Sequence, residues 1–144
     1  MENQTLNLYT DIYHGAKMGI ESIDALMKCT DDEGFQRQLL QTQNRYKQIE
    51  QKADTAIQRL GGIPREISAG SRMLTQSMVA MQTMIDDSAQ HESKMLKKGF
   101  DMAVQELTNS MQNNPDAAGE ARDLAFSLLE MQQNELRNYA QFLS

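Results

Sequence analysis

Residues 30–64, TDDEGFQRQLLQTQNRYKQIEQKADTAIQRLGGIP, contain one long helix together with its start and stop signals. Thr30 and Glu33 have the spacing of a capping box, in which the hydroxyl and the carboxylate satisfy backbone amides of the first turn. Apolar residues then recur every three or four positions as far as Leu60, which is the period of an amphipathic helix. The Gly-Gly-Ile-Pro sequence that follows is a strong stop signal. We therefore predict a helix that ends at Leu60.

Three further segments show the same helical period: residues 5–29, about 88–112 and 116–143. Asn113-Asn114-Pro115 separates the last two, because a proline disfavours helix in the residue before it. A shorter amphipathic stretch covers residues 71–86. These patterns predict an all-α protein.

The composition fits a single domain over residues 1–144. A chain of this size buries enough surface to fold without a metal or a disulfide, and Cys29 has no second cysteine with which to pair. The first residues do not resemble a secretory signal, so we expect a cytoplasmic protein. No apolar run is long enough to span a membrane, and a net charge of −6 argues against nucleic acid as a partner.

The first and last helical pairs form an internal repeat, a hairpin over residues 5–60 and a second over 88–143. The matching residues are Ile12, Gly15, Met18, Gly19, Ile20 and Ile23 with Leu96, Gly99, Met102, Ala103, Val104 and Leu107. The crossover, residues 61–87, is long enough to return along helices of roughly 42 Å. We therefore expect helices two and three to be parallel, in a four-helix bundle. The alternative is one continuous helix over residues 71–112 that extends into a partner subunit.

The repeated hairpin, the long crossover and the Leu60-Gly61-Gly62-Ile63-Pro64 ending of helix two resemble the ferritin-like superfamily. Within it, the chain is most similar to small uncharacterised bacterial bundle proteins and, more distantly, to the spore coat protein F family. The resemblance implies a bundle with one crossover and a di-iron site made of two glutamates and two Glu-x-x-His motifs.

This sequence lacks the iron motifs of that superfamily, because it contains no Glu-x-x-His. The two motif positions fall near Arg45-Tyr46-Lys47-Gln48 and Glu130-Met131-Gln132-Gln133, where glutamine replaces histidine. We therefore predict that the di-iron centre is missing and that the protein holds no cofactor.

Four glutamates fall within or beside the inward arcs of the predicted helices: Glu50, Glu92, Glu106 and Glu135. Glu92 and Glu135 are predicted to face each other near one end of the bundle, with His91 as a neighbour. Carboxylates of this kind bind Mg²⁺, Mn²⁺ or iron. The simpler interpretation is that they reach water or a lysine at the end of the bundle.

Small residues in the middle of helices one and three indicate close helix packing. Glycine inside a helix costs about 0.5–1 kcal/mol relative to alanine, so a compensating contact is expected. We predict that Gly15, Gly19, Gly99 and Ala103 lie where these two helices cross, near the centre of the repeat.

A methionine stripe on the crossover predicts an oligomer contact through Met73, Met78, Met81 and Met84. The Met78-x-x-Met81-x-x-Met84 spacing is also compatible with Cu(I), although flexible methionines more often pack against protein.

We therefore expect a non-enzymatic ferritin-like bundle that forms a homo-oligomer and acts through contacts with itself or a protein partner. One alternative is a metal-binding protein that uses Glu92 and Glu135. The other is a structural component similar to a spore coat protein.

Overall fold

The computed structural model describes residues 2–62 and 89–142, and these residues are all-helical, with no strand among them. These described residues form four long helices, and a short 3₁₀ turn follows the last of them. The elements are α1 (Glu2–Met27), α2 (Glu33–Arg59), α3 (Ala89–Asn113), α4 (Gly119–Tyr139) and the turn Ala140–Phe142.

The start of α2 differs from the predicted capping box. Asp32, and not Thr30, is the N-cap residue, and its carboxylate accepts a hydrogen bond from the Phe35 backbone amide at 2.8 Å. The Thr30 hydroxyl instead accepts from the Asp32 amide at 3.3 Å, which places it in the turn before the helix. The capping box was wrong because an aspartate two residues later competes as a cap.

The end of α2 agrees with the predicted stop. Gly61 has a φ of +76°, a left-handed backbone conformation that other residues rarely adopt. The Gly62 amide then donates to the carbonyl of Ile57 at 3.0 Å. These bonds satisfy carbonyls that the helix end leaves open, and the helix stops there.

Two helical hairpins make up the bundle. In the first, α1 and α2 are antiparallel, since Gln43 donates to the Ile20 carbonyl at 3.1 Å and Lys17 lies 3.6 Å from Glu50. In the second, the short connection between Asn113 and Gly119 reverses the chain, so α3 and α4 are antiparallel.

Contacts between the hairpins fix their relative direction. The Ala118 amide at the start of α4 donates to Thr5 near the start of α1, which makes α1 and α4 parallel. At the other end, the ring of Phe35 at the start of α2 contacts Tyr139 at the end of α4, with centroids 5.7 Å apart. Consequently α2 and α3 run in the same direction, as expected from the length of chain between them.

The core consists of the inward faces of the four helices. Its fully buried members come from α1, α2 and α4 at several levels: Leu8, Ile12, Ala16, Phe35, Leu39, Ala53, Ile57, Ala121 and Ala125. None of the four described helices is long and apolar enough to cross a membrane.

The predicted oligomer contact lies outside the described residues. Met73, Met78, Met81 and Met84 all belong to residues 63–88, as does most of the predicted crossover. The stretch that would distinguish a separate crossover from one continuous helix over 71–112 also lies within residues 63–88.

Candidate functional site

A buried carboxylate lies between α2 and α4 and organises the polar groups around it. Glu135 on α4 is fully buried. Its Oε2 atom accepts from Gln38 Nε2 at 3.0 Å and from the Thr42 hydroxyl at 2.8 Å. Its Oε1 atom forms an ion pair with the guanidinium of Arg45, which is about half exposed. Three donors from α2 therefore hold the negative charge.

Tyr139 extends this network by one hydrogen bond. Its hydroxyl lies 2.7 Å from the Thr42 hydroxyl, and Thr42 has a single proton to donate. The Gln38 carbonyl, 2.9 Å from the Thr42 hydroxyl, competes as an acceptor. The charged Glu135 forms the stronger bond, so Thr42 donates to Glu135 and Tyr139 donates to Thr42. The order Tyr139, Thr42, Glu135 is therefore a directed chain of hydrogen bonds across the interior.

Aromatic rings fill the layer next to this network. Tyr46 stacks on Phe100 with ring centroids 6.5 Å apart, and Phe100 stacks on Tyr139 at 6.0 Å. Gln132 Nε2 donates to the Tyr46 hydroxyl at 3.2 Å. Gln132 Oε1 is buried and accepts no hydrogen bond from the described chain.

The phenols of this layer hold their protons tightly. Burial is the main cause that raises the pKa of Tyr46 and of Tyr139, and the Glu135 carboxylate raises both further by repelling a phenolate. The hydrogen bond that Gln132 donates to the Tyr46 hydroxyl opposes the rise there only in part. A phenolate is therefore disfavoured in the folded protein.

Alkaline pH is expected to unfold the bundle together with the ionisation of Tyr46 and Tyr139. Their folded-state pKa values lie above the unfolded value of about 10, so this contribution to stability is complete below pH 10 and falls as the pH rises beyond it. The measurement is absorbance at 295 nm beside far-UV circular dichroism. Titration of all four tyrosines before any loss of helix would contradict the expectation.

The four inward glutamates of the sequence have different surroundings. Glu92 is fully buried on α3, as Glu135 is on α4, and His91 is half-buried. The hydrogen bonds and the ion pair described above for Glu135 come from α2.

The other two glutamates do not belong to this interior. Glu50 is partly exposed and lies 3.6 Å from Lys17. The expectation for Glu106 was wrong, since its side chain is exposed on the outer side of α3. A position beside the apolar arc sits at the edge of a helix interface, where a long side chain turns to water.

These donors do not fit the di-iron centre that the superfamily resemblance implies. The layer offers phenols, one amide and one carboxylate that an arginine already neutralises, and none of these side chains is an imidazole. Within residues 2–62 and 89–142, no group of three or more histidine, cysteine or acidic side chains is placed to hold a metal ion.

The predicted small residues have different environments. A Cβ atom at Gly19 would lie 2.5 Å from the Tyr46 ring, so the close approach there is to α2 and not to helix three. At Gly15 it would lie 4.0 Å from Leu128, an ordinary contact. Gly99 is exposed, no described atom lies within 4 Å of its Cβ position, and Ala103 is half-buried. The expected close crossing is thus not found at Gly99.

An open groove of about 560 Å³ lies above Glu135. Arg45 and Arg137 contribute two positive charges to its walls, and Glu130 and Glu135 contribute two negative charges. The groove has no net charge, and the carboxylate in its floor is bound by Arg45. The Glu135 carboxylate is therefore already engaged by a cation of its own chain.

Sequence reasoning missed two partners of Glu135, Gln38 and Arg45. The available signal was their spacing, because Gln38, Thr42 and Arg45 follow one another at intervals of four and three residues along one side of α2. Long polar side chains in that pattern beside an apolar stripe indicate a buried partner on a neighbouring helix.

Comparison with known proteins gives no relative for this chain. No protein family matches the sequence, and no curated protein or solved structure is detectably similar to it.

Proposed function

We propose that this protein is a non-enzymatic, ferritin-like four-helix bundle without a di-iron centre, which acts through protein–protein contacts as a homo-oligomer. The proposal combines the direction of the helices with the character of the bundle interior.

The direction of the helices supports the ferritin-like part of the proposal. In a four-helix bundle with three short loops α2 and α3 would be antiparallel, whereas here they are parallel, which requires one long connection. Among helical bundles, one long crossover is typical of ferritin-like folds. The repeat of the two hairpins, with Gly15 matched to Gly99 and Gly19 to Ala103, is part of the same proposal.

The filled interior is the observation that carries the functional part. Tyr46, Phe100 and Tyr139 occupy the layer in which ligands and substrates of such bundles bind, and their rings stack on one another. Glu135 is already paired with Arg45. An interior packed in this way leaves the outer surface for function.

Elemental analysis of protein purified without chelator or affinity tag tests the metal-free part. We expect no stoichiometric iron, manganese or copper, and no change in melting temperature on anaerobic addition of Fe(II). A stoichiometric metal that is lost in Glu135→Ala, but retained in Glu120→Ala at the exposed opposite end of α4, would instead establish the metal-binding alternative that uses Glu92, Glu135 and His91.

The methionine stripe gives a separate expectation about the oligomer. The sequence places Met78 and Met81 on one side of an amphipathic segment, so Met78→Glu with Met81→Glu is expected to lower the mass measured by size exclusion with light scattering. The matched control is Leu40→Glu with Phe126→Glu, which makes the same charge change at two exposed apolar residues of α2 and α4. An unchanged mass and stability of the first variant would count against the predicted contact.

A further inference from the structure

The outer side of α3 carries a large apolar side chain that the bundle leaves uncovered. Met102 is 63% exposed, more than any other large apolar side chain in the described chain. Met18 on α1 is 41% exposed. The Ser110 hydroxyl donates to Asp11, which fixes the level of α1 against α3. Met18 follows Asp11 by seven residues on α1, and Met102 precedes Ser110 by eight residues on the antiparallel α3. Met18 and Met102 therefore lie at about the same level along the bundle axis.

Opposite charges flank Met102 at equal distances. Lys98 precedes it by four residues and Glu106 follows it by four, so all three lie on one side of α3, and both charged residues are exposed. Their positions on the helix are roughly 12 Å apart at 1.5 Å per residue, too far for a direct ion pair. Neither forms an ion pair with another residue of the described chain.

This pattern is complementary to itself. A twofold axis through Met102 and perpendicular to α3 would place a second α3 antiparallel to the first. Lys98 would then face the partner's Glu106, and Glu106 would face the partner's Lys98. A twofold contact uses the same surface on both subunits. The row of Lys98, Met102 and Glu106 on each subunit therefore forms two ion pairs, one on either side of a central pair of methionines. We propose that two copies of this chain dimerise through α3, centred on Met102.

Gly99 adds a second observation from the same side of the helix. It is exposed, and no described atom lies near its Cβ position. Glycine within a helix costs about 0.5–1 kcal/mol relative to alanine, and no contact with residues 2–62 or 89–142 compensates for it. A neighbouring helix can approach most closely where a side chain is missing. The dimer therefore gives Gly99 the close packing that the sequence predicted and that the described part of one chain does not provide.

The symmetry of the stripe argues for a second copy and against an unrelated partner. An acidic partner would be repelled by Glu106, and a basic one by Lys98. A second copy satisfies both charges at once, in the only orientation that buries Met102 against itself. This inference rests on the homo-oligomer part of the proposed function and names its surface.

Charge reversal with rescue tests the dimer. In Lys98→Glu, each new glutamate would face a Glu106 across the twofold axis, so this variant is expected to raise the dissociation constant of the dimer at least about tenfold. Glu106→Lys is expected to have the same effect, because each new lysine would face a Lys98. The double variant Lys98→Glu with Glu106→Lys restores opposite charges and is expected to recover most of the affinity. Lys52→Glu, which makes the same charge change on the outer side of α2, is the matched control.

Sedimentation velocity over a range of protein concentrations measures the dissociation constant, and circular dichroism confirms that each variant is folded. Wild-type affinity in Lys98→Glu, or a double variant no better than the single ones, overturns the α3 interface. If the wild-type protein is a monomer throughout, the homo-oligomer part of the proposed function fails as well. A third outcome is an oligomer that is disrupted by the methionine-stripe variant and unaffected by Lys98→Glu. That outcome supports the homo-oligomer part of the proposed function and overturns only the α3 interface.

Discussion

Gly19→Ala is expected to destabilise the bundle by about 1–3 kcal/mol, because the added methyl group has no space. Its Cβ would lie 2.5–2.7 Å from three atoms of the Tyr46 ring. That ring cannot move aside easily, since it is buried, stacked on Phe100 and hydrogen-bonded by Gln132. Urea unfolding followed by circular dichroism measures the loss. An alanine variant as stable as the wild type would mean that α1 and α2 separate at little cost.

Gly15→Ala is the matched control for this prediction. Gly15 is one turn away on the same helix, and its Cβ would meet only Leu128 at 4.0 Å. Alanine favours the helix more than glycine does, and at this position it makes no steric clash. We therefore expect Gly15→Ala to raise the free energy of unfolding by about 0.5–1 kcal/mol. Opposite signs for two identical substitutions, four residues apart, distinguish close packing at Gly19 from a general effect of glycine on the helix.

Periodicity and stop signals predict the helices but not all of their partners. The Gly-Gly stop after α2 and the Asn-Asn-Pro stop after α3 act within a few residues, so the sequence alone places them correctly. The close approach at Gly19 is different, because a glycine indicates that something is near without identifying it. The partner is Tyr46 on α2, which depends on how the two helices are rotated about their axes.

The polar network shows a similar limit. The helical period predicts that Glu135 lies on an inward face, and its side chain is buried. Arg45, which forms the ion pair with Glu135, is half exposed. A helical wheel places it at the edge of the apolar face, where its side chain could equally turn to water. Only the packing of α4 against α2 decides that it pairs with Glu135. Leaving the Glu135 carboxylate buried without a cation would cost folding free energy. That cost depends on how the helices pack together, so it leaves no pattern in the local sequence.

Arg45→Met is expected to have the largest effect of any single change on the surface of α2, lowering the free energy of unfolding by about 2–3 kcal/mol. The methionine retains the apolar stem but leaves the Glu135 carboxylate buried without a cation. Breaking a fully buried ion pair costs about 3–5 kcal/mol, and the smaller figure allows for the 45% exposure of the Arg45 side chain, which admits water. Chemical unfolding at neutral pH measures the change, with Arg37→Met on the exposed side of α2 as the control.

The isosteric change Glu135→Gln separates the burial of a charge from the loss of packing. In the double variant with Arg45→Met, the glutamine can still accept from Thr42 through its amide oxygen while no charge remains in the interior. We therefore expect the double variant to be more stable than Arg45→Met alone, with a coupling of about 1–3 kcal/mol. If the losses of unfolding free energy in Arg45→Met and in Glu135→Gln simply add in the double variant, the Arg45 guanidinium does not stabilise the carboxylate. Glu135 is then held by Gln38 and Thr42 alone. Glu135 would then be open to a cation from the groove, which would revive the metal-binding alternative.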